Sequence, residues 1–144
     1  MIKDDEIERI LPHRYPMLMV DNIIAVDPSG SIEAVKNISR SDPVLQGHFP
    51  GMPIFPGVLM LESLAQTAGV LLEKIGHAKE KSFVLAKVDF ARFKRIVQPG
   101  DQLHLSVKLL RNKMTFFEFS GVAAVNGDEV MSAGFSLVKG GISG

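Results

Sequence analysis

The sequence contains 144 residues, of which 46% are apolar, enough for one domain with a substantial core but too few for two. Sixteen Lys and Arg residues balance sixteen Asp and Glu residues, so no overall charge attracts nucleic acid or a membrane surface. Cysteine is absent, which excludes disulfides and thiolate chemistry and permits a reducing compartment.

We interpret residues 1–144 as a single domain, with residues 140–144 as a frayed, glycine-rich tail. Residues 1–8 are too acidic and too broken in pattern for a signal peptide, so we predict a cytoplasmic protein.

The first predicted element is a short amphipathic helix, because Ile7, Ile10 and Leu11 share one helical face. Pro12 and Pro16 end it. Two β-like runs, residues 20–26 and 32–38, follow. Residues 27–31, Asp-Pro-Ser-Gly-Ser, have the composition of a turn, which predicts that the two runs pair as a hairpin.

A loop rich in Pro and Gly, residues 39–56, precedes a helix predicted over residues 58–75, with Gly76 in the position of a C-cap. The helix is apolar nearly all round, so other elements must cover it. Residues 52–72 are long and apolar enough to raise the question of a membrane span. Glu62 in their middle favours a helix buried inside a protein instead.

Four strands are predicted in the second half from alternating apolar residues and from turn residues. Asn126-Gly127 is a strong hairpin signal between the last two. We expect the four to form an antiparallel meander, and the whole to be an α+β domain whose curled antiparallel sheet wraps one long buried helix. The predicted strands span residues 83–93, 103–109, 115–125 and 129–138.

Several classes of site lack their usual signatures. The sequence contains no nucleotide-binding glycine loop and no Gly-x-Ser-x-Gly elbow. Its four histidines show none of the close spacings that pair metal ligands on a helix, so we predict no metal site. They are His13, His48, His77 and His104. Acid and base chemistry remains.

Glu62 and His48 are the candidate acid and base. Glu62 lies in the second turn of the buried helix among apolar neighbours, and burial favours the protonated form of a carboxyl, which can donate a proton. A structural carboxylate held by backbone donors or by an arginine is the alternative. His48 lies in an irregular loop, residues 46–51, of the kind that often carries catalytic groups, although a lone loop histidine is more often structural.

The start of the buried helix supplies a third element. In Pro56-Gly57-Val58 the first amide groups lack intrahelical partners, and Gly57 leaves room for a carbonyl oxygen to approach them. Alternatively, Gly57 is needed only because the chain enters the helix through a tight bend, and this interpretation is equally simple. A base, an acid and an oxyanion donor together indicate proton removal beside a carbonyl with loss of a β substituent, which is dehydration or its reverse.

Six segments carry a family resemblance. They are residues 11–16 (Leu-Pro-His-Arg-Tyr-Pro), 46–51 (Gln-Gly-His-Phe-Pro-Gly), Pro53, 56–59 (Pro-Gly-Val-Leu), Glu62 with 64–66 (Leu-Ala-Gln), and 99–101 (Pro-Gly-Asp). In these segments the chain resembles the β-hydroxyacyl-acyl carrier protein dehydratases of dissociated fatty acid synthesis, which adopt the hot dog fold. A related dehydratase and isomerase typically carries aspartate at the position of Glu62, so the resemblance favours dehydration without isomerisation.

The resemblance implies a role for each site residue. His48 would take the C2 proton of a (3R)-hydroxyacyl thioester, Glu62 would assist loss of the C3 hydroxyl as water, and the amides of Gly57 and Val58 would polarise the thioester carbonyl. No cofactor is implied, because the substrate arrives on the phosphopantetheine arm of acyl carrier protein. The family's sites form in a homodimer, with His48 facing Glu62 of the partner subunit, and the dimers commonly assemble as trimers of dimers.

Two further sets of residues are predicted by position alone. Basic residues near the third predicted strand could meet the acidic carrier, or could simply form a solvated strand face. These are Lys87, Arg92, Lys94 and Arg95. Aromatic residues could wall an apolar tunnel for the acyl chain, and these are Phe49, Phe55, Phe90 and Phe93.

Two rival functions stay open on the sequence. A thioesterase of the same fold would use a carboxylate to activate water and would not need His48. A noncatalytic acyl-binding module would keep the tunnel but would have no reason to bury Glu62 near a histidine.

Overall fold

A computed structural model describes residues 4–77 and 83–140, so the predicted tail, apart from Gly140, lies outside the described residues. Helices and strands are both present, as predicted for an α+β domain. In chain order the elements are α1 (Asp4–Ile10), β1 (Asn22–Asp27), β2 (Ser31–Asn37), a 3-10 turn (Pro43–Gln46), α2 (Gly57–Lys74), β3 (Phe83–Phe93), β4 (Gln102–Lys113), β5 (Phe116–Val125) and β6 (Asp128–Lys139).

The strands form one antiparallel sheet in the order β1-β2-β4-β5-β6-β3. The predicted hairpin between β1 and β2 is confirmed. The predicted hairpin between β5 and β6 is confirmed as well, and its two turn residues, Asn126 and Gly127, have φ of 50° and 84°. Positive φ at both positions is what a two-residue hairpin turn of type I′ requires.

The predicted four-strand meander is wrong in one respect, because β3 pairs with β6 and not with β4. Both edges of β4 are occupied, one by β2 and the other by β5. Backbone bonds between Ile38 and residues 100 and 101 hold the start of β4 beside the end of β2. With β4 occupied, the free edges are those of β1 and β6, and β3 takes the edge of β6, so that only β4, β5 and β6 form a meander.

Helix α2 lies against the inner face of the sheet and contacts β2 to β6. Its middle, residues 63–72, is buried, as the all-round apolar pattern predicts. Gly121 of β5 lets the helix approach closely, since a Cβ there would lie 3.1 Å from Leu64. The helix ends in a Schellman motif, in which Gly76, at φ +88°, donates to Glu73 and His77 donates to Leu72.

The predicted amphipathic face of α1 is confirmed, since Ile7 and Leu11 are buried in the same core as α2. Leu11 packs over Gly69 of α2, where a Cβ would lie 3.4 Å from its methyl group. The segment that follows α1 is thereby held along the side of α2. Among the described residues, no helix combines the length and the hydropathy needed to cross a bilayer.

The tight contact between α2 and the sheet predicts the effect of shortening Leu64, which is fully buried. Leu64→Ala should lower the free energy of unfolding by about 2–5 kcal/mol, because it leaves a cavity between helix and sheet. Leu110→Ala, at an exposed position of β4, is the control and should change it by less than about 0.5 kcal/mol. Equal urea midpoints for the two variants would contradict this packing.

Candidate active site

Glu62 lies at a cavity of about 290 Å³ along one side of α2. Residues three, four and seven positions after Glu62 share its helical face, because the α-helix has 3.6 residues per turn. The opposite walls are the end of α1 and the start of β3. Apolar side chains and one glycine supply most of the surface, among them Ile10, Leu11, Ala65, Gly69, Phe83 and Leu85. A cavity of this kind can hold a hydrocarbon chain whose end lies beside the carboxyl of Glu62.

The carboxyl of Glu62 has two polar neighbours. Gln66 donates from Nε2 to Glu62 Oε2 over 2.7 Å, and His13 Nε2 lies 3.5 Å from the same oxygen. The surroundings of Glu62 are therefore more polar than the sequence suggests, and 24% of its side chain is exposed. Sequence reasoning missed both partners. Gln66 could have been found from its spacing, since residues four apart on a helix are neighbours.

His48 lies in the loop before α2, where backbone bonds between Phe49 and Met52, and from Ile54 to His48, fix the chain. Its ring stacks on Phe49 with centroids 4.1 Å apart. Nδ1 of His48 lies 2.7 Å from the carbonyl oxygen of Ile54. Because a carbonyl only accepts, Nδ1 carries the hydrogen, and Nε2 is left with a lone pair that can take a proton.

His48 and Glu62 do not meet within one chain. Across residues 4–77 and 83–140, neither a hydrogen bond nor an ion pair joins them, and His48 does not line the Glu62 cavity. The surroundings of the two groups differ: His48 keeps a lone pair on Nε2, whereas the carboxyl of Glu62 lies at a mainly apolar cavity. Their catalytic roles stay predictions.

The start of α2 combines free amides with close packing. Leu59 and Met60 donate to the carbonyl of Pro56, whereas the amides of Gly57 and Val58 precede the first helical bonds. A Cβ on Gly57 would lie 2.7 Å from the ring of Phe93. Glycine is thus required here for packing against the end of β3, a reason that the sequence did not reveal.

The four phenylalanines predicted to wall a tunnel lie in different surroundings. Phe55 is buried in the core, and together with Phe93 it borders a second depression at the start of α2. Phe49 and Phe90 are partly exposed. None of the four is among the described residues that border the Glu62 cavity, so their role in a tunnel stays a prediction.

Most of the basic residues predicted to meet a carrier already pair with acidic neighbours. The pairs are Lys87 with Asp89, Lys94 with Glu129 and Arg95 with Asp128. Arg92 lies instead over the ring of Phe90, with its guanidinium carbon 4.8 Å from the centroid. All four basic residues are exposed, and the pairing leaves this surface with a small net positive charge.

The remaining histidines lie at separate places. His104 pairs with Glu33 over 2.9 Å on the exposed side of the sheet, and His77 packs edge-on against Phe117. Within the part of the chain that the structure describes, no group of three His, Cys, Asp or Glu side chains is placed to hold a metal ion.

Comparison with known proteins gives a consistent match over most of the chain. A family model described as a FabA-like domain matches residues 11–134. A protein of Paracidovorax citrulli is 48% identical over 133 residues, which cover 90% of each chain. A protein of Thioalkalivibrio sulfidiphilus is 46% identical over 134 residues, 89% of this chain and 90% of the relative. Both relatives are named 3-hydroxyacyl-(acyl-carrier-protein) dehydratase FabZ.

Solved structures share the fold at low identity. A chain of the dehydratase heterocomplex ApeI:P from Xenorhabdus doucetiae aligns with a TM-score of 0.79 and 22% identity, over 94% of this chain and 91% of that one. A hypothetical thioesterase from Streptococcus pneumoniae, solved with coenzyme A, aligns with a TM-score of 0.65 and 12% identity, over 85% of this chain and 88% of that one.

The contact between Gly57 and Phe93 predicts that the cost of adding a methyl group at Gly57 depends on whether the Phe93 ring is present. Gly57→Ala should lower the free energy of unfolding by about 1–3 kcal/mol, because the new methyl group overlaps the ring. In a Phe93→Ala background the same substitution should cost nothing. Gly47→Ala is the control, since a Cβ there meets nothing within 4 Å. Equal melting temperatures for Gly57→Ala and Gly47→Ala would contradict the predicted overlap.

Proposed function

The chain belongs to the FabA-like family and is a 3-hydroxyacyl-(acyl-carrier-protein) dehydratase, and from this premise we propose that His48 and Glu62 carry out the reaction. The predicted hot dog fold and the predicted activity are both confirmed by its relatives. The observation that carries the proposal is the bond from His48 Nδ1 to the carbonyl of Ile54, which leaves Nε2 free to act as a base.

In the proposed reaction His48 Nε2 takes the proton from C2 of the 3-hydroxyacyl thioester. The electron pair of the C2–H bond forms the C2–C3 double bond, the C3–O bond breaks, and Glu62 donates a proton to the departing oxygen. Water and a trans-2-enoyl thioester leave. His48 then carries one proton more and Glu62 one fewer, and transfer of that proton back resets the site. These steps need no cofactor.

The amides of Gly57 and Val58 are proposed to donate hydrogen bonds to the thioester oxygen and so to stabilise the negative charge that develops on it. Their position before the first helical bonds supports this role, because amides at a helix start are unpaired and carry the positive end of the dipole. Gly57 is also the residue with the least side chain to obstruct a carbonyl.

We further propose that the working unit is a homodimer in which His48 faces Glu62 of the partner subunit. The separation of the two residues within one chain supports this arrangement. A surface for the partner is also present. In the described sheet one edge of β3 is unpaired. The apolar side chains of Phe93, at the end of β3, and Val58, at the start of α2, are 51% and 70% exposed. Assembly of dimers as trimers of dimers is proposed from the family resemblance alone. A location in the cytoplasm is proposed from the absence of cysteine and from relatives that are named dehydratases of acyl carrier protein substrates.

Coexpressed chains test the shared site. Dimers of His48→Ala or of Glu62→Ala alone should be inactive towards a crotonyl thioester. A dimer with one chain of each variant should recover about half of the wild-type rate, because one of its two sites keeps both residues. The readout is the fall of enoyl absorbance in tagged, separated mixed dimers.

The matched control joins both substitutions in one chain and pairs it with a wild-type chain. A shared site predicts no activity in this dimer, because each site then lacks one residue. A site within one chain predicts about half activity here and none in the first combination. The two arrangements therefore give opposite results.

Docking of the acidic carrier near the end of β3 is proposed for the surface with Arg92, Lys94 and Arg95. Replacing all three with Glu should raise KM for the acyl carrier substrate, since the carrier would then meet like charge. KM for a short acyl pantetheine thioester should not change, because this substrate has no carrier surface. An unchanged KM for the carrier substrate would remove these residues from the docking surface.

A further inference from the structure

Gln66 is only 2% exposed, and it uses both hydrogens of its amide nitrogen and one lone pair of its amide oxygen in hydrogen bonds. Its Nε2 donates to the carbonyl of Met17 and to Glu62 Oε2, both over 2.7 Å. Its Oε1 accepts from the backbone amide of Met19 over 2.8 Å. Gln66 therefore ties the Glu62 carboxyl to the chain segment that follows α1.

These contacts determine which way the amide group points. The backbone N–H of Met19 can only donate, so the atom facing it must be the oxygen of Gln66. The nitrogen of Gln66 must then face Glu62, and this nitrogen can only donate a hydrogen bond. Glu62 Oε2 is consequently an acceptor, held by a bond whose orientation the backbone enforces.

His13 is a more distant neighbour of the same oxygen. Its Nε2 lies 3.5 Å from Glu62 Oε2, beyond the usual range of a hydrogen bond, whereas Gln66 lies well within it. The other oxygen, Oε1, has no hydrogen-bond partner in the described part of the chain. Oε1 is also not buried. If it were, it would be a buried atom without a partner, and among the described residues His13 Nδ1 is the one side-chain nitrogen or oxygen of that kind.

We propose that Gln66 is a positioning residue that holds Glu62 Oε2 as a permanent acceptor, so that Oε1 carries the proton delivered to the departing hydroxyl. The role of Gln66 rests on the proposed role of Glu62 as the acid. A proton on Oε2 would weaken the bond from Gln66 and would lie away from the open side of the carboxyl. A proton on Oε1 keeps that bond and lies on the oxygen that is not buried.

The chemical consequence is a fixed direction of proton transfer. The O–H bond at Oε1 breaks, its proton joins the C3 oxygen as the C3–O bond breaks, and Oε2 keeps its bond to Gln66 throughout. Without Gln66 the carboxyl can rotate and present either oxygen. Loss of orientation of this kind lowers the rate of the chemical step without necessarily weakening substrate binding.

Substitution of Gln66 by Met tests this role, because Met is similar in length and cannot donate. We expect kcat for hydration of a crotonyl thioester to fall by about 100-fold with KM unchanged. Thr67→Val is the matched control, since Thr67 is equally buried on α2 and donates only to the backbone of Ser63. It should keep the wild-type kcat. A wild-type kcat in Gln66→Met would overturn the proposal.

Gln66→Glu provides a second test in case the Met variant does not fold. Its carboxyl keeps an acceptor for Met19 and can donate to Glu62 only when protonated. The ratio of its activity to that of the wild type should therefore fall as the pH rises. Arg9, His13 and Glu73 also line the cavity, but they are present in both proteins, so their contribution largely cancels in the ratio. A ratio independent of pH would overturn the proposal.

A combined variant separates this proposal from the proposed function. If Gln66 acts through Glu62, then Gln66→Met should add no further loss to Glu62→Ala. An additional loss would indicate a structural role and overturn the positioning role alone. Full activity in Glu62→Ala would instead overturn the role of Glu62 as the acid, and with it the role of Gln66.

Discussion

The burial of α2 against the sheet is the constraint on which the rest of the site depends. Because the middle of the helix is enclosed, only its start and one side strip remain open. The start offers the amides of Gly57 and Val58, and the side strip offers Glu62 above an apolar cavity. The positions of the proposed acid and of the proposed oxyanion donor are therefore set by the same packing that stabilises the domain.

Much of the fold could be predicted because its signals are local. The apolar run of α2, the hairpin at Asn126-Gly127 and the cap at Gly76 each depend on residues that are close in sequence. The pairing of β3 with β6 could not be predicted in this way. It depends on which strand edges are left free after the other strands have paired, and no local pattern of residues encodes that outcome.

The candidate site also combines features that residue type and spacing reveal with features that they do not. His48, Glu62 and Gly57 stand out by residue type and spacing, but the fold of one chain does not bring His48 to the Glu62 cavity. The partners of Glu62 did not stand out, because Gln66 is one polar residue in an apolar helix and His13 comes from a distant segment. A site divided between two chains is also invisible to any pattern within one chain, which is why the family resemblance was needed to suggest it.

The central claim is that His48 is the base and that the protein acts on the C2–C3 bond of an acyl thioester, not on the thioester bond itself. The most direct measurement follows enoyl absorbance and free thiol together when a crotonyl thioester is mixed with wild type and with His48→Ala. Absorbance should fall without thiol release in the wild type and should hold in the variant. Thiol release by the wild type, or loss of absorbance in His48→Ala at the wild-type rate, would contradict the claim.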